Sequence, residues 1–236
     1  MQADQFLKYK KNQLINQHGG ACEVAVLLAK KSRDVQNPPN YNSAFVIPVW
    51  YHNGTYFGLF GVDKKNEINP IGGKKDGNEY PVGTAFREFF EESINANPPQ
   101  HLLRNFGNYS KNQNHYKYIN KAQVYYIVDT NIFSNSMFHS ITGNVNNKNI
   151  NLSQYSNNGI FDVTNFIVNR GVEHRQSING LYEMKYLAGI DLLDLQKQIL
   201  QYSSIHGGLS GFKYNGLVVR GDLRECVYNG IFNIFN

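Results

Sequence analysis

The sequence predicts an α/β fold, and three observations carry that expectation. Two β-rich runs, Phe45 to Tyr51 and Thr55 to Gly61, flank His52-Asn53-Gly54. An Asn-Gly pair between such runs is the best short-range hairpin signal. From Ala85 to Glu92 the pattern turns helical: Phe86 and Phe90 form one i, i+4 pair and Ala85 and Phe89 another, with apolar surface flanking a stripe of carboxylates. Gln123-Val-Tyr-Tyr-Ile-Val then returns to strand character.

The remaining elements follow in order. Residues 4–17 place Phe6, Leu7, Leu14 and Ile15 for one face of a short amphipathic helix, ended by Gly19-Gly20. Cys22 to Lys30 is an apolar run fit for a buried strand or a helix turn. Asn37 to Asn42, rich in Asn and Pro, reads as a loop and boundary. Residues 1–41 are therefore an N-terminal extension, and the core begins at residue 42. After the hairpin a strand is expected to deliver Gly72-Gly73 to a loop. Lys121 to Asp129 is a strand, and the Asn/Ser-rich segment Thr130 to Asn158 reads as a long irregular insertion, where substrate choice can vary. Apolar periodicity returns at Ile160 to Val168. Leu187 to Leu200 reads as a helix broken near Gly189. His206 to Asn236, rich in Gly and aromatics, is expected to add strands to the core or to form a small appendage. The resulting division is a core at 42–170 and a C-terminal extension at 171–236 packing on it.

A chain of 236 residues is long enough for a well-buried core. A net charge of +5 and a pI near 9.0 suit an anionic substrate, a nucleotide or RNA, although the excess is modest and spread along the chain. Cys22 and Cys226, two thiols far apart, read as reduced and buried rather than as a disulfide scaffold. No apolar run reaches the length of a membrane span, and the first residues lack the charged start and apolar stretch of a signal peptide. The expectation is a cytoplasmic protein.

The chemistry concentrates between Gly73 and Glu92. On a helix Glu88, Glu91 and Glu92 stand at i, i+3 and i+4, so three carboxylates crowd one face. Like charges at such spacings destabilise a helix by roughly 0.2–0.5 kcal/mol per pair, a cost that a divalent cation removes. Hard cations such as Mg²⁺ and Mn²⁺ take oxygen ligands and keep several waters, which suits a metal-bound phosphate substrate. Arg87 pairs with Glu91 at i+4 or reaches back toward Glu79, holding carboxylates in place rather than binding substrate.

Gly73, Glu79 six positions on, then Arg87-Glu88-Phe89-Phe90-Glu91-Glu92 resemble the Nudix box of the Nudix hydrolases, whose pattern is G-x5-E-x7-R-E-U-x-E-E-x-G-U with U bulky and apolar. Every fixed position from the first Gly to the last Glu matches in register. Pro70-Ile71-Gly72-Gly73-Lys74 resembles the loop entering the box. The match departs at its end, where Ile94 and Asn95 replace the Gly and apolar residue. The family's glycine stops the helix, so Ile94 is expected to stay helical, with Asn95 ending it and Pro98-Pro99 forbidding continuation.

The resemblance implies an α/β/α sandwich around a mixed β-sheet, with N- and C-terminal extensions. It also implies metal-dependent hydrolysis of a pyrophosphate bond in a nucleoside diphosphate linked to another group. ADP-ribose, dinucleoside polyphosphates, NAD(H) and nucleotide sugars belong to that substrate class. Mg²⁺ or Mn²⁺ would be held by Glu88, Glu91 and Glu92 with help from the Gly72 or Gly73 carbonyl, and Glu88 could also orient or deprotonate the water. In the family the general base often lies outside the box; here Glu173 is favoured over Glu183, with Asp129 a further candidate. A rival expectation is a Nudix-fold module that binds a nucleotide or ADP-ribosyl group without cleaving it, and a third is an RNA cap hydrolase.

Other residues have bland readings beside functional ones. His18 and Cys22 are sequence neighbours, which seldom makes a nucleophile and its base, so Cys22 reads as buried and structural. Glu173-His174-Arg175 reads as a polar loop and as a source of a base or phosphate contact. Tyr51, Tyr56, Tyr116 and Tyr118 are base-stacking candidates whose default is packing. Lys74 and Lys75 are phosphate contacts or solvated side chains.

Overall fold

The computed structural model describes Val24, Leu27, Leu28, Pro38 and residues 40–52, 54–63, 65–94, 115–129, 160–161 and 184–236. The architecture is mixed α/β, an open sheet of ten strands with three helices described from end to end. The strands are β1 (Ser43–His52), β2 (Thr55–Asp63), β3 (Glu67–Asn69), β4 (Ile71–Lys74), β5 (His115–Asn120), β6 (Gln123–Asp129), β7 (Ile160–Phe161), β8 (Met184–Asp191), β9 (Lys213–Tyr214) and β10 (Leu217–Val219). The helices are α1 (Pro81–Ile94), α2 (Leu192–His206) and α3 (Gly221–Tyr228), followed by a 3₁₀ turn at Asn233–Phe235. The order across the sheet is β5-β6-β1-β2-β3-β10-β9; β4 pairs with β1, and β8 with β2 and β7.

β1 organises the sheet because it has two partners on one side. Its first half pairs antiparallel with β4, from Ser43↔Lys74 to Val46↔Ile71. Its second half pairs antiparallel with β2, from Val49↔Gly58 to His52↔Thr55. Pro48, with no N–H to give a ladder, sits in the gap between the two registers. On the other side β6 runs parallel to β1, from Ser43↔Gln123 to Val49↔Asp129. The second partner is the hairpin expected at Asn53-Gly54. The first brings Gly72 and Gly73 against Phe45 and Ala44, beside Glu88 and Glu92 of α1.

Pro81 is the first residue of α1, where a missing N–H costs no helical bond. Ala85, Phe86, Phe89 and Phe90 are no more than 1% exposed, so the aromatics flanking the carboxylates are core. Each fully buried Phe stabilises the fold by about 1.5–3 kcal/mol. Ile94 is helical, so the helix continues through the position where the box pattern has Gly. Asn95 lies outside the described residues.

The helix expected at Leu187–Leu200 is corrected. Residues up to Asp191 form β8, antiparallel to β2 from Phe57↔Asp191 to Asp63↔Met184, and the helix begins at Leu192. Ala188 and Ile190 are both buried, and a short apolar run of that kind looks alike as strand or helix. The boundary is chemical: the Asp191 carboxylate accepts from the N–H groups of Leu193 (3.1 Å) and Asp194 (3.0 Å), a helix N-cap. The C-terminal stretch does add strands, with β10 parallel to β3 at Val218↔Glu67 and Val219↔Ile68. The sheet therefore runs across the division drawn at residue 170. Val24, Leu27 and Leu28 are helical, and Val24 and Leu28 are buried in the same cluster as Leu195, Ile199, Leu223, Val227 and Phe232.

The expectations for residues 4–17, Cys22, the 130–158 insertion, Glu173-His174-Arg175 and Glu183 fall outside the described residues. Among the described residues no helix is long and apolar enough to cross a membrane.

Candidate active site

Arg87, on the second turn of α1, ties the glycine loop to the helix. Its Nε and Nη2 donate to the two oxygens of Glu79 at 2.7 and 3.0 Å. Its Nη1 donates to Glu88 Oε1 and Glu91 Oε2, both at 2.9 Å, and Nη2 also reaches the Lys74 carbonyl at 3.1 Å. One guanidinium thus holds the loop, through Lys74 and Glu79, and two of the three clustered carboxylates. Planar fork geometry is what permits such shared recognition.

Glu79 is itself anchored. The Thr84 hydroxyl donates to its Oε2 at 2.8 Å and the Asp76 N–H at 3.1 Å. The Tyr41 hydroxyl donates to the Glu79 carbonyl and lies 3.0 Å from Thr84 Oγ1. Hydrogen bonds from Arg87, more than any other cause, push the Glu79 carboxyl down from 4.5 to about 2. The same bonds raise Arg87 above its ordinary value.

Glu92 accepts from the Gly72 N–H at 3.1 Å. The two glycines beneath the helix have different reasons to lack a side chain. At Gly72, with φ +152°, a Cβ would lie 2.4 Å from the Ala44 carbonyl oxygen and 2.6 Å from Phe45 Cα. At Gly73 a Cβ would first meet the tip of Glu88, 2.3 Å from its Oε2. Backbone cannot yield, whereas a side-chain tip can. Gly72→Ala should therefore cost on the order of 3 kcal/mol of stability, and Gly73→Ala only about 1 kcal/mol while displacing Glu88. Thermal melts beside activity measurements separate the two: a lower melting temperature for Gly72→Ala, and lost activity in a folded protein for Gly73→Ala.

A cavity of about 670 Å³ opens here, bordered by Gly72, Gly73, Glu88, Glu91 and Glu92. Small-molecule sites have volumes of roughly 300–1,000 Å³. The donors are hard oxygens, three carboxylates and the backbone of two glycines, a set that fits a small divalent cation and not a soft one. As they stand, no three His, Cys, Asp or Glu side chains among the described residues gather closely enough to hold an ion. Arg87 draws Glu88 and Glu91 toward itself while Glu92 turns to Gly72, so ligation by all three requires small rotations of these carboxylates.

The other candidates separate clearly. Lys74 borders the cavity, whereas the Lys75 ammonium lies 4.8 Å from the centre of the Tyr41 ring. Tyr51 and Tyr56 pack on each other at 4.8 Å, and Tyr56 also on Phe235. Tyr116 and Tyr118 are half-buried against the core, and none of these four tyrosines lines the cavity. Asp129 ends β6, 1% exposed and away from the cavity lining. Cys226 is fully buried, and burial pushes its thiol up to about 11, the state of an inert structural thiol.

Sequence reasoning missed Asn69, Gln123 and Arg220, which complete the cavity from β3, β6 and the end of β10. A signal was present for Arg220. It follows the apolar run Leu217-Val218-Val219 and precedes Gly221-Asp222, and polar residues at the carboxyl ends of strands are where open α/β sheets bind ligands. Tyr41 was missed as well, and its contacts depend on folding alone.

No protein-family model matches the chain, and no curated protein is significantly similar to it.

Proposed function

We propose that the protein is a metal-dependent pyrophosphohydrolase of the Nudix type, cleaving the anhydride of a nucleoside diphosphate linked to another group. One observation carries the reading: Glu88, Glu91 and Glu92 border the same cavity as Gly72 and Gly73, and Arg87 fastens that helix to Glu79 of the entering loop. Glycine, glutamate, arginine and the glutamate trio of the box thus act as one unit in space as well as in sequence. Alternation along β1 supports the matching layered sandwich. Phe45, Ile47 and Val49 belong to the cluster with α2 and α3, while Ala44 and Val46 between them turn away, and α1 packs on β1, β4 and β6.

Glu88, Glu91 and Glu92, with a Gly72 or Gly73 carbonyl, would hold Mg²⁺ or Mn²⁺. The cation supplies charge neutralisation on the phosphate oxygens and a lowered water pKa. The chain's own residues do the rest. Arg87 keeps Glu88 and Glu91 oriented and stays clear of the cavity lining. Glu79 keeps Arg87 fixed. A carboxylate base takes the proton of the attacking water as the new P–O bond forms and the anhydride P–O bond breaks. Glu173 is the proposed base, with Glu88 as the alternative already in the cavity wall.

A second reading is favoured by one observation, the run of α1 through Ile94, where the box pattern has the glycine that stops the helix. On that reading the same cavity binds ADP-ribose or a related nucleotide and leaves it intact. Calorimetry with ADP-ribose in the presence of Mg²⁺ or Mn²⁺, followed by product analysis, decides between them. Release of AMP supports hydrolysis. Binding with intact ligand supports the module, and neither result across a panel of dinucleotides and nucleotide sugars defeats both.

A further inference from the structure

We infer that Arg220 is a specificity residue that holds a phosphoryl group of the substrate, on a wall of the cavity that the glutamate cluster does not supply. The inference rests on the proposal that the cavity takes a pyrophosphate-bearing ligand. Such a ligand carries several negative charges into a site whose α1 wall is already acidic, and one divalent cation leaves part of that charge unmatched. Among the described residues the basic side chains bordering the cavity are Lys74 and Arg220. Arg220 is the one whose direction is set by other residues.

That setting runs from the core to the rim. The hydroxyl of Tyr125, a fully buried residue, donates to Gln123 Oε1 at 2.9 Å. Gln123 Nε2 donates to Asp222 Oδ2 at 3.3 Å, and Asp222 Oδ1 accepts from its neighbour Leu223 N–H at 2.9 Å. The same Oδ1 pairs with Arg220 Nε at 3.1 Å. The Arg220 backbone is fixed too, its N–H donating to the Ile68 carbonyl at 3.0 Å.

Most of the fork remains available. Nη1 makes only a long contact of 3.4 Å to Asn69 Oδ1, and Nη2 has no protein acceptor among the described residues. Asn69 and Gln123 border the cavity beside it. An arginine aimed by a chain of hydrogen bonds, with unspent donors facing a cavity, is preorganised for a phosphoryl group, which its planar fork grips through two N–H bonds. An ion pair serving only the start of α3 would engage Asp222 equally well and would not be felt by a ligand.

The test is calorimetric binding of α,β-methylene-ADP with Mg²⁺, beside melting temperatures. Arg220→Gln should weaken binding at least tenfold, with Arg220→Lys intermediate because a point charge replaces the fork, and both variants should melt close to wild type. Where the wild type cleaves ADP-ribose, Arg220→Gln should raise KM and change kcat much less. Unchanged binding in Arg220→Gln overturns the inference and leaves the hydrolase reading standing, as does a wild type that cleaves ADP-ribose without binding the analogue. A wild type that neither binds the analogue nor cleaves any anhydride overturns both.

Discussion

Replacing Glu91 or Glu92 by Gln is expected to lower turnover by about two to four orders of magnitude, because each change removes one ligand charge and keeps the side chain's size. Stability should barely follow. The Glu91–Arg87 pair is about a quarter exposed, and pairs of that kind contribute roughly 0–1 kcal/mol. Glu92 accepts the N–H of Gly72, which the Gln carbonyl can also accept. Mn²⁺ titrations should show weakened affinity in the same variants. Undiminished hydrolysis in both would defeat the assignment, and loss of activity with loss of the folded transition would reassign the glutamates to structure.

The second large effect is expected at Arg87. Arg87→Met keeps an unbranched apolar stem and removes the guanidinium that bonds Lys74 and Glu79 of the loop and Glu88 and Glu91 of the helix. Glu79, Glu88 and Glu91 then face one another without their shared cation. Hydrogen bonds to charged groups contribute about 1.5–3 kcal/mol each, and partial exposure reduces the total, so a loss on the order of 3 kcal/mol is expected together with loss of activity. The pH dependence gives an independent check. The Glu79 carboxyl lies near 2 in the folded protein and near 4.5 when free of its partners. A folded value below the unfolded one means stabilisation that is fully present above about 4.5 and is lost as pH falls toward about 2. Urea unfolding followed from pH 7 to pH 3 should show wild type losing stability in the acid range, and Arg87→Met losing much less. Parallel curves for the two proteins would show that Arg87 does not set the Glu79 titration.

Local chemistry was the readable part of this chain. Asn53-Gly54 marks a hairpin because only a tight turn needs that dipeptide between two apolar runs. The Glu88, Glu91 and Glu92 spacing puts three acids on one side of a helix whatever surrounds it, and Arg87 with Glu79 was already suspect because a guanidinium beside three carboxylates has few other uses. Readings failed where two structures suit the same residues. Leu187 to Ile190 is apolar enough for the middle of a sheet or of a helix, and Asp191, four residues on, marks the true start of α2. Arg220 escaped for a different reason. Its one local signal, a polar residue after the apolar run Leu217-Val218-Val219, is common to many strand ends, and its partner Asn69 lies 151 positions away.

That separation bears on how the protein comes to be folded. β2 can pair with β1 as soon as the hairpin emerges, and α1 follows within a few tens of residues. β8, however, must return to the free edge of β2 from far along the chain, and β10 must do the same for β3. Contacts of such long range are slow to form, and until they do the edges of β2 and β3 stand open to pairing with other chains. The glutamate cluster and its arginine thus close short loops, whereas the wall bearing Arg220 closes a long one. The cavity is complete only with β9 and β10 paired into the sheet, since Arg220 follows β10 directly.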